Sequence, residues 1–254
     1  MSHEIPHRTW LQARLDDYPY ACFFAVLSGA HMYGFPSDDS DFDVRGVHIL
    51  PIEEVVGLEH GTRTVERMEV VDGGEFDAVT HDIEKFVRLL LDKNAMALEQ
   101  ITSPYLIAAD EEDFDKLRAI ASECVTRHHI HHYRGYVRAR WEAFEQGLRL
   151  KALLYAYRGC LTGIHLMRTG EVEANLGALG SIYSRPDLDE LIETKREGAE
   201  KMQLDEAQVA VHRPRIEELK EELERAHEET DLPERIPTEV RERADELLVR
   251  VRLR

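Results

Sequence analysis

Asp41-Phe42-Asp43 opens a stretch of alternating character, DFDVRGVHIL, that ends at Pro51. On an extended chain, side chains at i and i+2 point to the same side. Asp41 and Asp43 therefore project together, with Arg45 next along, while Phe42 and Val44 face a buried surface. Two carboxylates this close repel each other unless a cation lies between them. Hard oxygen donors suit Mg²⁺ or Mn²⁺, ions that also grip a triphosphate. Glu75 and Asp77 form a second such pair further along. If the two stretches are neighbours in a sheet, one of these acids completes a two-metal site. Asp77 is the favoured third ligand, because alternation through Val79 leads on to a helix start at Asp82; Glu75 is the alternative. Such a site holds two ions roughly 3.5–4 Å apart, one acidifying an attacking hydroxyl and the other steadying a departing pyrophosphate. Arg45 either neutralises Asp43 or orients a phosphate.

The surrounding elements are readable from pattern. Ala21–Leu27 (ACFFAVL) reads as a buried strand ending in the turn Ser28-Gly29-Ala30. Phe42–Leu50 is a second strand, Thr62–Val71 a third and Glu75–Thr80 a fourth, the last two joined as a hairpin through Asp72-Gly73-Gly74. Ile83, Phe86, Val87, Leu90 and Leu91 recur at helical spacing behind Asp82, a good N-cap. Beyond about Asp110 strand signals vanish, and helices are expected near 111–128, 130–147, 149–169, 187–203, 206–229 and 238–252, with breaks at Gly170, Gly177–Pro186, Pro233 and Pro237. The expected class is mixed α+β: a sheet domain over 1–110 and an all-helical domain over 111–254.

Bulk properties narrow the function classes. In this chain of 254 residues no apolar run approaches a membrane span, and the first ten residues lack a signal pattern. Cys22, Cys124 and Cys160 are scattered and odd in number, which fits a reducing cytoplasm better than a disulfide framework. A net charge of −18 argues against general coating of nucleic acid. Residues 127–158, however, carry Arg127, Arg134, Arg138, Arg140, Arg149, Lys151 and Arg158 against only Glu142 and Glu145, a candidate phosphate-binding or RNA-binding face. His128 and His132 share a helical face, but no third ligand accompanies them, so they are expected to be solvated or phosphate-facing.

Gly29-Ala30, followed after a loop by Asp41-Phe42-Asp43 within YGFPSDDSDFDVRGVHI (33–49), resembles the Gly-Ser…Asp-x-Asp signature of the DNA polymerase beta nucleotidyltransferase superfamily. More narrowly it resembles the RNA-repair-pathway DNA polymerase beta family. KNAMALEQITSP (93–104) and KALLYAYRGCLTGIHLMRTGEV (151–172) are similar to two helical blocks of that family. The resemblance covers about residues 20–172. It implies a nucleoside triphosphate substrate, two Mg²⁺ or Mn²⁺ ions held by Asp41, Asp43 and Asp77, and a helical domain closing over the nucleotide. It further implies that Ser28 and Gly29 approach the phosphates and that Lys151 and Arg158 bind the triphosphate or the acceptor. Ala30 stands where the superfamily usually has serine, leaving Ser28 or backbone N–H groups to substitute, and Tyr155 stands where relatives often carry histidine. The expected reaction is transfer of NMP to a hydroxyl, with an RNA 3′ end the foremost acceptor. A protein side chain or small molecule is the alternative acceptor, and a non-catalytic nucleotide-sensing module the alternative of another class.

Overall fold

The computed structural model describes residues 5–71, 74–198 and 202–254, and its class is mixed α+β as the sequence predicts. Five strands, β1 (Ala21–Leu27), β2 (Phe42–Ile49), β3 (Thr64–Val71), β4 (Gly74–Asp82) and β5 (Leu106–Ala109), form one sheet in the order β3-β4-β2-β1-β5. The pairs β1·β2, β3·β4 and β1·β5 are antiparallel, and β2·β4 is parallel. Asp72 and Gly73 of the expected hairpin turn lie outside the described residues. β5 was not anticipated: its four residues begin two positions after Pro104, too short a run for periodicity to show.

Contacts divide the chain into two compact units. The first takes the chain up to Met32, Asp41–Cys124 and Arg235–Arg254, and contains the whole sheet. One sheet face carries Ala25, Leu27, Phe42, Val44, Phe76 and Ala78, which pack with Leu11 and Leu15 of α1 (Arg8–Asp16). Trp10 of the same helix lies against the rings of Phe42 and Phe76, with centroids 5.5 and 5.6 Å away. On the opposite face Phe24 meets Phe86 of α4 (Ile83–Leu91) and Phe114 of α6 (Phe114–Glu123). Asp82 caps α4 as expected, accepting a hydrogen bond from the Glu84 N–H at 3.1 Å.

The last helix, α12 (Thr238–Arg252), belongs to this unit and not to the helical one, although a sequence boundary near 110 had grouped it with the helices. Its apolar stripe of Val240, Ala244, Leu247 and Val251 is buried, and its arginines bind sheet-unit acids. Arg243 reaches Glu123 at 2.6 Å, Arg250 reaches Asp113, and Arg254 reaches Asp110. Arg252 is the most enclosed of these: its guanidinium donates to both oxygens of buried Asp82, at 2.6 and 2.7 Å, and to the Leu50 carbonyl. The N-cap carboxylate of α4 is thereby also the counter-ion of the C-terminal helix.

The second unit takes Tyr33–Ser40 and Val125–Glu234. At its centre runs α8 (Leu150–Thr169), buried along most of its length between α7 (Ile130–Gly147) and α11 (Glu206–Glu229). Small residues let these helices close: a Cβ added at Gly159 would stand 2.8 Å from the Tyr136 ring. Short α9 (Leu176–Ile182), capped by Asn175, runs into the region expected to be a break, and α10 (Asp187–Glu197) follows it. The segment 33–40 is tied to α10, where buried Lys195 donates to the Ser37 hydroxyl at 2.7 Å and Arg196 donates to the Gly34 carbonyl at 2.8 Å.

Removing one member of a buried ion pair strands its partner, at a cost of about 3–5 kcal/mol. Arg252→Met is expected to lower the unfolding free energy by about that amount, read from urea or guanidinium titration. A loss within the scatter of an exposed substitution would show that α12 is not anchored through Asp82.

Candidate active site

The site begins where β1 ends. The Ser28 N–H donates to the Asp43 carbonyl at 2.7 Å, and the chain then turns into the single-turn helix α2 (Gly29–Tyr33). Gly29 has φ +60, a left-handed conformation that glycine adopts without strain. The approach is closer still: a Cβ here would lie 1.9 Å from Asp43 Oδ2. Only a residue without a side chain lets the turn sit against that carboxylate.

On β2 and β4 the parallel register sets Asp43 directly beside Asp77, and Arg45 beside Val79. Partners in register share a face of the sheet, so both carboxylates stand on the side away from Phe42 and Val44. Asp41 lies just ahead of β2, and its Oδ1 accepts the Glu75 N–H at 3.4 Å. The conditional expectation that the two acidic stretches are neighbours in the sheet is therefore met. Asp77 stands opposite Asp43, whereas Glu75 is exposed, one pleat nearer the start of β4.

The positive charge between the two aspartates belongs to Arg45. Its NH2 group donates to Asp43 Oδ1 at 3.2 Å and to Asp77 Oδ2 at 2.8 Å, while NH1 donates to the carbonyls of Asp77 and Val44. Both of the roles left open for Arg45 start from this bridge. Among the described residues no three His, Cys, Asp or Glu side chains are gathered as a cation cage. The donor set nonetheless fits a hard divalent ion in chemistry: Asp43 and Asp77 are in register on one face, both about a quarter to a third exposed, with Asp41 just ahead of β2. An ion between Asp43 and Asp77 would take the place of the Arg45 NH2 group.

His31, which the sequence analysis did not single out, stacks on Phe42 with centroids 5.6 Å apart and planes 10° from parallel. Burial pushes its pKa below the ordinary histidine value, so it is a neutral prop for the residue between the two aspartates. Its only sequence signal was its place just after the glycine turn.

In the helical unit, Lys151 is half-buried in the first turn of α8, and Arg158, two turns on, is fully buried. The Arg158 guanidinium lies over the rings of Tyr33 and Tyr136, at 4.0 and 4.8 Å from their centroids. Of the basic stretch, Arg138, Arg140 and Arg149 are exposed, and Arg140 covers the Tyr136 and Tyr155 rings at 5.2 and 5.9 Å. Arg134 instead forms a two-point pair with Glu224, and Arg127 donates to the His227 carbonyl at 3.0 Å. The histidines are dispersed: His129 is buried in the turn with Thr126, and His128 stacks on His131.

Arg45→Met removes the bridging cation and leaves Asp43 facing Asp77. This variant is expected to melt lower than the parent in EDTA and to recover more of that loss when Mg²⁺ is added, because a ligand that binds only the folded form raises its stability. Equal Mg²⁺ responses of parent and variant in differential scanning fluorimetry would argue against a divalent site between these two residues.

The chain is 30% identical over 159 residues to the uncharacterized protein MJ0002 of Methanocaldococcus jannaschii, a match covering 61% of this chain and 64% of that one, so it spans less than two thirds of that relative's length. It is 25% identical over 186 residues to the uncharacterized protein YcgL of Bacillus subtilis, covering 70% of each. The profile of the RNA repair pathway DNA polymerase beta family matches residues 7–250, nearly the whole sequence, and the chain belongs to that family.

Proposed function

We propose that this protein is a divalent-metal-dependent nucleotidyltransferase that moves NMP from an NTP to a hydroxyl, with an RNA 3′ end as acceptor. The observation that carries the reading is the in-register pair Asp43 and Asp77, with Asp41 beside them and Gly29 packed on the Asp43 carboxylate. Asp41, Asp43 and Asp77 are the proposed ligands of two Mg²⁺ or Mn²⁺ ions. When bound, these ions neutralise the phosphates, acidify the acceptor hydroxyl and hold the pyrophosphate. The acceptor oxygen forms a bond to the α-phosphorus while the bridge from the α- to the β-phosphate breaks, and the hydroxyl proton leaves with its bonding pair retained on the attacking oxygen.

The protein's own contribution is placement and charge. Ser28 and Gly29 present backbone to the phosphates. Arg45, released from Asp43 and Asp77, is within reach of a phosphate oxygen on the same face. In this reading the sheet unit is the catalytic domain and the helical unit carries substrate contacts. Exposed Arg138, Arg140 and Arg149, together with Lys151, suit phosphates; Tyr136 and Tyr155 suit stacked bases. Buried Arg158 acts by fixing Tyr33 and Tyr136.

A second reading, transfer to a protein or small molecule, draws on one observation. Glu66 and Glu75 are exposed on the same sheet face as the aspartates, and they repel a polyanion.

Incubation with each α-labelled NTP, Mg²⁺ or Mn²⁺ and single-stranded RNA separates these readings. Label is expected on RNA, and Asp43→Asn is expected to reduce it by roughly a hundredfold or more. Label on the polypeptide would instead support the second reading, and no labelling of any acceptor would count against catalysis itself.

A further inference from the structure

The two edges of the sheet differ. β5, at one edge, is four residues long and is accompanied by α1, whose Arg8 donates to the Ile107 carbonyl at 3.3 Å. β3, at the other, runs for eight residues in unbroken register with β4, without proline, lysine or bulge. Long flat edges of this kind invite another strand, and soluble proteins ordinarily blunt them with such devices. Two outward-facing side chains of β3 beside exposed Glu66 are apolar as well: Met68 is 71% and Val70 82% exposed.

The backbone of β3 is set for pairing. The Arg63 carbonyl accepts from the Asp82 N–H at 2.9 Å, so residue 63 turns its polar groups toward β4. Alternation then turns those of Thr64, Glu66, Met68 and Val70 to the outer edge. The segment Glu66-Arg67-Met68-Glu69-Val70 is also self-complementary when laid antiparallel on itself about Met68. Met68 meets the partner's Met68, Arg67 meets the partner's Glu69, Glu69 meets the partner's Arg67, and Glu66 meets the partner's Val70. Shifting the axis to residue 66, 67 or 69 sets Glu66, Arg67 or Glu69 against its own copy, a destabilising like-charge pair. This register sets Arg67 and Glu69 of each copy against their opposites, beside the Arg67–Glu69 ion pair already present within each chain.

We infer that the chain forms a two-fold dimer through antiparallel β3–β3 pairing centred on Met68, which joins two five-stranded sheets into one. Directly opposed residues share a face, so the axis is perpendicular to the sheet and both carboxylate clusters open on the same side. Met68 is in register with Asp77, which places the two Asp77 residues about three strand spacings, roughly 14 Å, apart. The Met68 and Val70 side chains of both copies lie between them as an apolar strip.

Charge exchange tests the register directly. Arg67→Glu alone sets glutamate against the partner's Glu69, and Glu69→Arg alone sets arginine against the partner's Arg67. Each variant is expected to sediment as a monomer, and an equimolar mixture of the two as a heterodimer, because both cross-strand pairs are then restored. The mixture also controls for folding, since only intact sheets recombine. Met68→Cys is expected to yield a covalent dimer with a short bis-maleimide, whereas Leu58→Cys, on fully exposed Leu58, is not. A parent chain that sediments as a monomer at micromolar concentration would hand the edge to a different partner or to none, and would overturn the proposal. So would single variants that stay dimeric, or a mixture that fails to recombine.

Discussion

The structure around the site depends on one electrostatic constraint, the side-by-side placement of Asp43 and Asp77 on parallel strands. Two like charges roughly 5 Å apart repel by about 3 kcal/mol at an effective dielectric of about 20, comparable to a sizeable part of a domain's net stability. A cation between them offsets that repulsion. Here the Arg45 guanidinium bridges both carboxylates while its second nitrogen is tied to two backbone carbonyls. The neighbouring features follow from the same crowding. Gly29 has no room for a Cβ beside Asp43, and Phe42, packed between His31 and Trp10, keeps the two flanking aspartates on the open side.

That constraint needs a rigid floor, and the first unit supplies one from distant parts of the chain. Trp10 of α1 packs beneath β2 and β4, while α4 and α6 cover Phe24 on the other face. The end of the chain then returns to this unit: Arg252 neutralises Asp82, the residue that terminates β4 and caps α4. Asp77 and Asp82 lie on the same strand, so the C-terminal helix braces the strand that carries the candidate ligand. The helical unit follows a different logic, with a buried central helix whose cation, Arg158, is stacked on aromatic rings. Arg138 and Arg140 of α7 and Arg149 just before α8 are exposed, a local basic cluster in an acidic protein.

The chain belongs to the RNA repair pathway DNA polymerase beta family, and two uncharacterized proteins are similar to it over 61% and 70% of its length. The sheet face is a mixture: carboxylates with Arg45 on β2 and β4, then exposed Glu66, Met68 and Val70 on β3.

The amino-acid sequence by itself determined the local features. Strands β1 to β4, the capped start of α4 and the shared side of Asp41, Asp43 and Arg45 all follow from period-two or period-3.6 patterning and from turn chemistry, which act between residues close in the chain. What depended on distant contacts was decided only by the tertiary structure. The parallel register that brings Asp77 rather than Glu75 opposite Asp43 comes from a crossover between segments more than thirty residues apart. β5 is a strand because β1 offers it an edge, and α12 joins the sheet unit because four arginines find acids there. Helical spacing set Lys151 and Arg158 on one face of α8, but a helix enclosed along most of its length has no free face at that point, and Arg158 lies inside. Periodicity specifies a direction around a helix axis; which directions are filled by neighbours is a property of the assembled fold.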